Sequence, residues 1–136
     1  KEQSWAKEEW QAFVLSTQKE NRKFLEELYH QCWTFDQLEV CRYYPKYSWS
    51  MKTYNIIWQG YLWMGIERLK INQVFSLQQC YTYLKKLASQ KKIRFSSCYE
   101  QEKVCHKDIE AFLKKIMQET NSLTLLPDGK WKKIKN

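Results

Sequence analysis

The stretch YNIIWQGYLWMGIERLKI, residues 54–71, is the most apolar run in the chain and carries two of its seven tryptophans. Its length approaches the roughly 20 residues of a membrane span. However, Asn55, Gln59, Glu67 and Arg68 fall inside it, and charged groups within a span are expensive. Read as a helix capped by Ser50, it spreads Ile57, Trp58, Tyr61, Leu62, Met64, Ile66 and Leu69 over more than half its circumference. A helix apolar nearly all round is surrounded by protein, so the stretch predicts a central core helix and no membrane anchor. Gly60 and Gly65 would each cost roughly 1 kcal/mol relative to Ala inside that helix, which predicts a close neighbour at those positions.

A single domain over 1–136 fits the length, which is large enough to bury one core without metal or disulfide staples. Three Gly and two Pro leave few turn-makers for a many-stranded sandwich, so the fold class expected is mainly α. The sequence opens without Met or a basic-then-apolar leader and reads as a domain cut or processed from something longer. The five cysteines, an odd number at irregular spacings, argue against a secreted disulfide framework, and there is no Asn-x-Ser/Thr sequon. An intracellular setting, nuclear or cytoplasmic, with reduced thiols is therefore expected.

Helices are predicted in order along the chain. Ser4 can cap the first, near 5–19, with Glu8 and Glu9 in its early turns, where negative charge suits the helix dipole. Phe24, Leu25, Leu28, Tyr29, Cys32 and Trp33 then recur at spacings of three and four, fitting one bent helix or two short ones. Thr34 and Asp36 offer caps for a short helix through Leu38, Val40 and Cys41, which Pro45 stops because proline disfavours helical geometry in the residue before it. This organisation allows a helical subdomain, 1–48, packed on the part from 50 to 134.

After a loop around Asn72, Ser76 and Gln79 form a capping-box pattern ahead of Leu77, Cys80, Tyr81, Leu84 and Leu87, the best-defined helix signal in the chain. Residues 91–95, KKIRF, read as a short strand with Ile93 and Phe95 inward and Lys92 and Arg94 outward. A further helix is expected near 106–120, with Ile109, Phe112, Leu113, Ile116 and Met117 inward. Finally, SLTLLPDGKWKKI, residues 122–134, sets Pro-Asp-Gly between two β-prone runs, a β-hairpin in which Pro fixes φ and Gly takes the left-handed position. In this order of elements and in its closing Trp-Lys-Lys-Ile, the region from about 55 to 134 is similar to winged-helix domains. The spacer from 88 to 106 is longer than their compact form has.

The net charge is +8, unevenly placed. Residues 1–33 hold five basic and six acidic side chains, whereas residues 84–136 hold thirteen and six. Such a field attracts nucleic acid, DNA or RNA, or an acidic protein partner. The winged-helix likeness implies that Lys114, Lys115, Lys130, Lys132 and Lys133 face phosphates, joined by Lys91, Lys92 and Arg94. Lysine-rich contacts give salt-sensitive, sequence-tolerant affinity. The expected function is thus a non-catalytic nucleic-acid-binding module.

The alternative is a helical protein-interaction scaffold. In RYYPKYSWSMKTY, residues 42–54, cations interleave with aromatic rings, a pattern that can stack unpaired bases or fold its rings back over the core. Tyr43, Tyr44, Tyr47, Trp49 and Trp63 are the residues expected to meet a partner. No Gly-rich phosphate loop, H-E-x-x-H or C-x-x-C is present. Cys98, Cys105 and His106, or His30, Cys32 and Cys41, each offer three zinc ligands at the wrong spacing and without a fourth. No enzyme activity, small-molecule substrate, cofactor or metal is expected.

Overall fold

The structure, a computed structural model, describes residues 7–41 and 47–136. Among these the chain is mainly helical with a small antiparallel sheet. The order is α1 (Lys7–Val14), α2 (Lys19–His30), a 3-10 helix (Phe35–Cys41), α3 (Asn55–Glu67), β1 (Val74–Phe75), α4 (Leu77–Ser89), α5 (Gln101–Thr120), β2 (Leu123–Leu125) and β3 (Trp131–Lys133). No helix among the described residues is long and apolar enough to cross a membrane.

Residues 55–67 of the apolar run form α3, and ten of them are buried. The other helices are drawn around it, and α1, α2 and the 3-10 helix contribute Phe13, Phe24, Leu28, Leu38, Val40 and Cys41 to the same core cluster as Leu84, Ile109 and Trp131. Aromatic rings run through this core in a chain. Trp10 stacks on Phe35 at 4.5 Å, Phe13 meets Phe24 edge-on at 6.3 Å, and Phe24 meets Tyr61 of α3 edge-on at 5.1 Å. Such offset and T-shaped pairs are the arrangements the ring quadrupole favours.

The two glycines of α3 differ. A Cβ on Gly60 would lie 2.4 Å from the Phe24 ring, so α2 and α3 approach each other where Gly60 leaves room. At Gly65 the nearest atoms belong to Tyr83, at an ordinary 3.8 Å. Thus the expected close neighbour exists at Gly60 only.

Several boundaries differ from those expected. Ser4 lies outside the described residues; of the two arrangements expected for this region, one bent helix or two short ones, the structure has two, α1 and α2, the first ending at Val14 and not near 19. Ser50 does not cap α3, whose flanking residue is Tyr54 without a side-chain cap. Instead the buried Ser50 donates through its hydroxyl and its backbone N–H to Asp108 of α5. KKIRF forms no strand. It makes a single bridge, Met51 to Phe95, with Lys52 N–H donating to the Arg94 carbonyl at 2.9 Å. Helix α5 starts at Gln101, one turn earlier than expected, because Glu100 turns the chain with φ 52°.

The capping box is present in full. Ser76 Oγ accepts from Gln79 N–H at 3.1 Å, and Ser76 N–H donates to Gln79 Oε1 at 2.8 Å. The hairpin is present as well. Gly129 N–H donates to the Leu126 carbonyl at 3.0 Å with Pro127 and Asp128 between them, and Gly129 takes φ 87°. The two-residue β1, which sequence reading placed in a loop, pairs with β3, so the sheet order is β1-β3-β2 with Phe75 and Leu125 both opposite Trp131.

The described cysteines are free thiols. Burial pushes Cys80 and Cys105 from the usual 9 up to about 12, while Cys32 is exposed. Thiol titration of the native protein at pH 8 is expected to modify Cys32 rapidly and to leave Cys41, Cys80 and Cys105 protected until denaturant is added. Because a raised folded-state value favours the protonated form, the stability these thiols contribute is complete below pH 9. It is lost as pH rises from 9 towards 12.

Candidate nucleic-acid interface

Helix α5 buries Cys105, Ile109, Phe112, Leu113 and Ile116. On a helix that repeats every 3.6 residues this leaves Lys103, Lys107, Glu110, Ala111, Lys114 and Gln118 on the opposite face, each with neighbours three or four residues away. Lys103, Lys107, Ala111, Lys114 and Gln118 are exposed. Three lysines against one carboxylate give this stripe a positive surplus. Lys103 lies 3.5 Å from Glu100, and Lys114 lies 3.7 Å from Glu110. Surface pairs of this kind are worth only about 0–1 kcal/mol and exchange readily for a phosphate.

The hairpin follows α5 directly. Strand alternation turns Trp131 and Lys133 inward and Lys132 outward, where it faces Val74 and Thr124 across the strands. Lys130 is exposed beside the turn, its backbone N–H held by Asp128 Oδ1 at 3.0 Å.

Lys133 corrects the expectation for the wing. It is fully buried, and its Nζ donates to the carbonyls of Ile66 at 3.0 Å and Glu67 at 2.8 Å. These belong to the last turn of α3, where the Ile66 carbonyl also accepts from Leu69 N–H at 3.0 Å, where helix-end carbonyls run short of helical partners and where a cation meets the negative end of the helix dipole. Lys133 is a cap for the central helix, not a phosphate contact.

Of the remaining predicted cations, Lys115 is half-buried on the flank of α5. Lys91 is exposed just past α4 with φ 60°. Arg94 and Lys92 are brought to α2. Arg94 donates through Nε and Nη2 to Glu20 Oε2 at 3.2 and 3.0 Å, with Thr53 Oγ1 bonded to the other Glu20 oxygen. Lys92 Nζ lies 4.0 Å from Glu27 and 5.9 Å from the Tyr61 ring centroid. The expected basic surface therefore divides: Lys114, Lys130 and Lys132 gather at α5 and the hairpin, while Lys92 and Arg94 sit against acidic residues of α2.

The aromatic candidates divide too. Tyr43 and Tyr44 lie outside the described residues. Trp63 is 7% exposed and its Nε1 donates to the Gln37 carbonyl at 3.2 Å, so it belongs to the core and not to a partner surface. Tyr47 is half-exposed and leans on Tyr54 with ring centroids 4.8 Å apart. Trp49 stands out at 85% exposed. Its carbonyl accepts from Ser96 Oγ at 2.5 Å, and the Ser50 carbonyl accepts from Ser96 N–H at 2.9 Å and from Gln101 Nε2 at 3.3 Å. These bonds fix Trp49 beside the loop that carries Tyr99, 86% exposed, at the N-terminal end of α5.

Lys103, Lys107 and Tyr99 are the residues that sequence reading passed over. Placing the helix start at 106 hid Lys103. The spacing of Lys103, Lys107 and Lys114 becomes legible once the helix extends to Gln101.

Among the described residues, no three His, Cys, Asp or Glu side chains converge to hold a metal. No protein-family model, curated protein or solved structure matches the chain.

Proposed function

We propose that this protein is a nucleic-acid-binding module of winged-helix type, with α3, α4 and α5 as its three helices and β2–β3 as its wing. One observation carries the reading: the order helix, strand, helix, helix, strand, strand with β1 paired to β3 puts the lysine stripe of α5 and the outward Lys130 and Lys132 on consecutive elements. In this arrangement α5 approaches the groove and the hairpin lysines meet the backbone. Trp49 and Tyr99 flank the start of α5 and offer flat faces to unpaired bases, where stacking is worth about 1–3 kcal/mol per base. Lysine point charges without an arginine fork on this face make the binding tolerant of sequence.

A salt titration by fluorescence anisotropy tests it. With four or five phosphates contacted, the logarithm of the binding constant is expected to fall against the logarithm of salt concentration with a slope of about −4. The double variant Lys107→Glu, Lys130→Glu is expected to flatten that slope by about two and leave the melting temperature unchanged. Trp49→Ala is expected to weaken single-strand binding alone. Absence of any salt-dependent binding to single- or double-stranded DNA or RNA at low salt would refute the proposal.

The second reading, a protein-interaction scaffold, is favoured by the exposure of Trp49 and Tyr99, since exposed aromatic groups anchor interfaces. It requires a stoichiometric protein partner that Trp49→Ala releases and that the lysine variants retain.

A further inference from the structure

Between α2, α3 and α4 lies a recess of about 240 Å³ to which no residue of α5 or the hairpin contributes. Its wall carries Arg68, Lys86 and Lys92 against a single carboxylate, Glu27. Glu27 is already engaged, accepting from Gln31 Nε2 at 2.7 Å and facing Lys92 at 4.0 Å. Tyr61 also lines the recess; it is 2% exposed, and its hydroxyl has no hydrogen-bond partner. Buried polar atoms are satisfied in the great majority of cases, so an orphan hydroxyl on a residue that shares the recess wall with three cations calls for a ligand.

The surroundings keep that hydroxyl a donor. Burial is the largest cause raising its titration, followed by Glu27 and Tyr83 on the recess wall and by Glu20 and Glu26 beyond it. The Tyr83 hydroxyl donates to the Tyr61 carbonyl at 3.4 Å, and Tyr83 and Arg68 both line the recess.

We propose that this recess binds a small phosphate monoester. A dianion neutralises the surplus of two positive charges, the Arg68 fork matches two phosphate oxygens, Lys86 and Lys92 supply further donors, and the Tyr61 hydroxyl gains its missing acceptor. The volume falls below the roughly 300–1,000 Å³ that holds drug-sized ligands, so the group esterified to the phosphate is small. A duplex backbone does not fit within such walls. The site is therefore separate from the α5 surface, and its occupancy does not depend on nucleic-acid binding.

The test titrates the full chain with inorganic phosphate and with phenyl phosphate, using potassium chloride at matched ionic strength as control and following amide chemical shifts and melting temperature. Saturable shifts are expected at Tyr61, Gln90 and Lys92, with a melting temperature that rises with phosphate and not with chloride. Arg68→Gln and Lys86→Met, both at exposed positions, are expected to weaken phosphate binding about tenfold each while folding normally. Tyr61→Phe is expected to weaken it severalfold without lowering the phosphate-free melting temperature, since the hydroxyl it removes has no partner. The proposal is overturned if chloride acts as well as phosphate, if these variants bind like the parent, or if the shifts map to α5 and the hairpin and are displaced by an oligonucleotide.

Discussion

Replacing Lys133 with Met is expected to lower stability by about 2–4 kcal/mol, because it removes both hydrogen bonds of a buried ammonium and takes from the Glu67 carbonyl, at the end of the central helix, its side-chain partner. At this chain length that is a fall of about 8–15 °C in melting temperature. The methylene stem of Met refills most of the volume, so the loss reports the ammonium and its two hydrogen bonds, at 3.0 and 2.8 Å to Ile66 and Glu67. Lys132→Met, one residue earlier on the outward face of β3, is the internal control and is expected to change stability by less than about 0.5 kcal/mol. Calorimetric or denaturant unfolding of the two variants decides the matter; equal stabilities would remove Lys133 from its structural role. Charge reversal at Lys133 is correspondingly a poor probe of ligand binding, since any loss would arise from unfolding.

Gly60→Ala is the second large effect, and its sign runs against helix propensity. On propensity alone the substitution gains roughly 1 kcal/mol. The new methyl would sit 2.4 and 2.7 Å from two atoms of the Phe24 ring. Phe24 is fully buried and packed edge-on against both Phe13 and Tyr61, so it has nowhere to retreat. Overpacking of this kind costs about 1–3 kcal/mol, and with two contacts this short the net outcome is expected to be a loss of about 1–2 kcal/mol. Gly65→Ala, five residues on in the same helix, meets only Tyr83 at 3.8 Å and is expected to raise stability by about 0.5–1 kcal/mol. Opposite signs for the two glycines are the result to look for in thermal unfolding. Stabilisation by both would show that α2 and α3 are not packed as described.

Where the sequence carries a strong local signal, the fold follows it. Helix α3 is legible because it is apolar on every side, α4 because Ser76 and Gln79 close a capping box, and the hairpin because Pro127, Asp128 and Gly129 each have a turn role. Strand β1 is illegible because two residues, Val74 and Phe75, cannot display an alternation, and their pairing with β3 is set by the tertiary structure alone. KKIRF alternates like a strand but finds only one bridging partner at Met51.

The candidate site is legible as a basic region, but charge alone does not say which cations are free. Arg94 and Lys92 are drawn to Glu20 and Glu27, more than sixty residues away in the chain. Lys133 is the instructive case. If Trp131 faces inward, the period of two in a strand obliges Lys133 to do the same, and its positive charge hid that geometric consequence. Trp63 was likewise placed on a surface although it sits in a helix buried on nearly all sides.

The capping of α3 by Lys133 also bears on synthesis from the ribosome. The central helix is translated around residue 60, yet Trp131 of the same core and the amine that closes the helix's last turn arrive some seventy residues later. Until they emerge, an almost wholly apolar helix has an unfinished shell, and long-range closure of this kind is slow and exposed to aggregation. Between those two points the half-built core of the nascent chain is exposed to its neighbours.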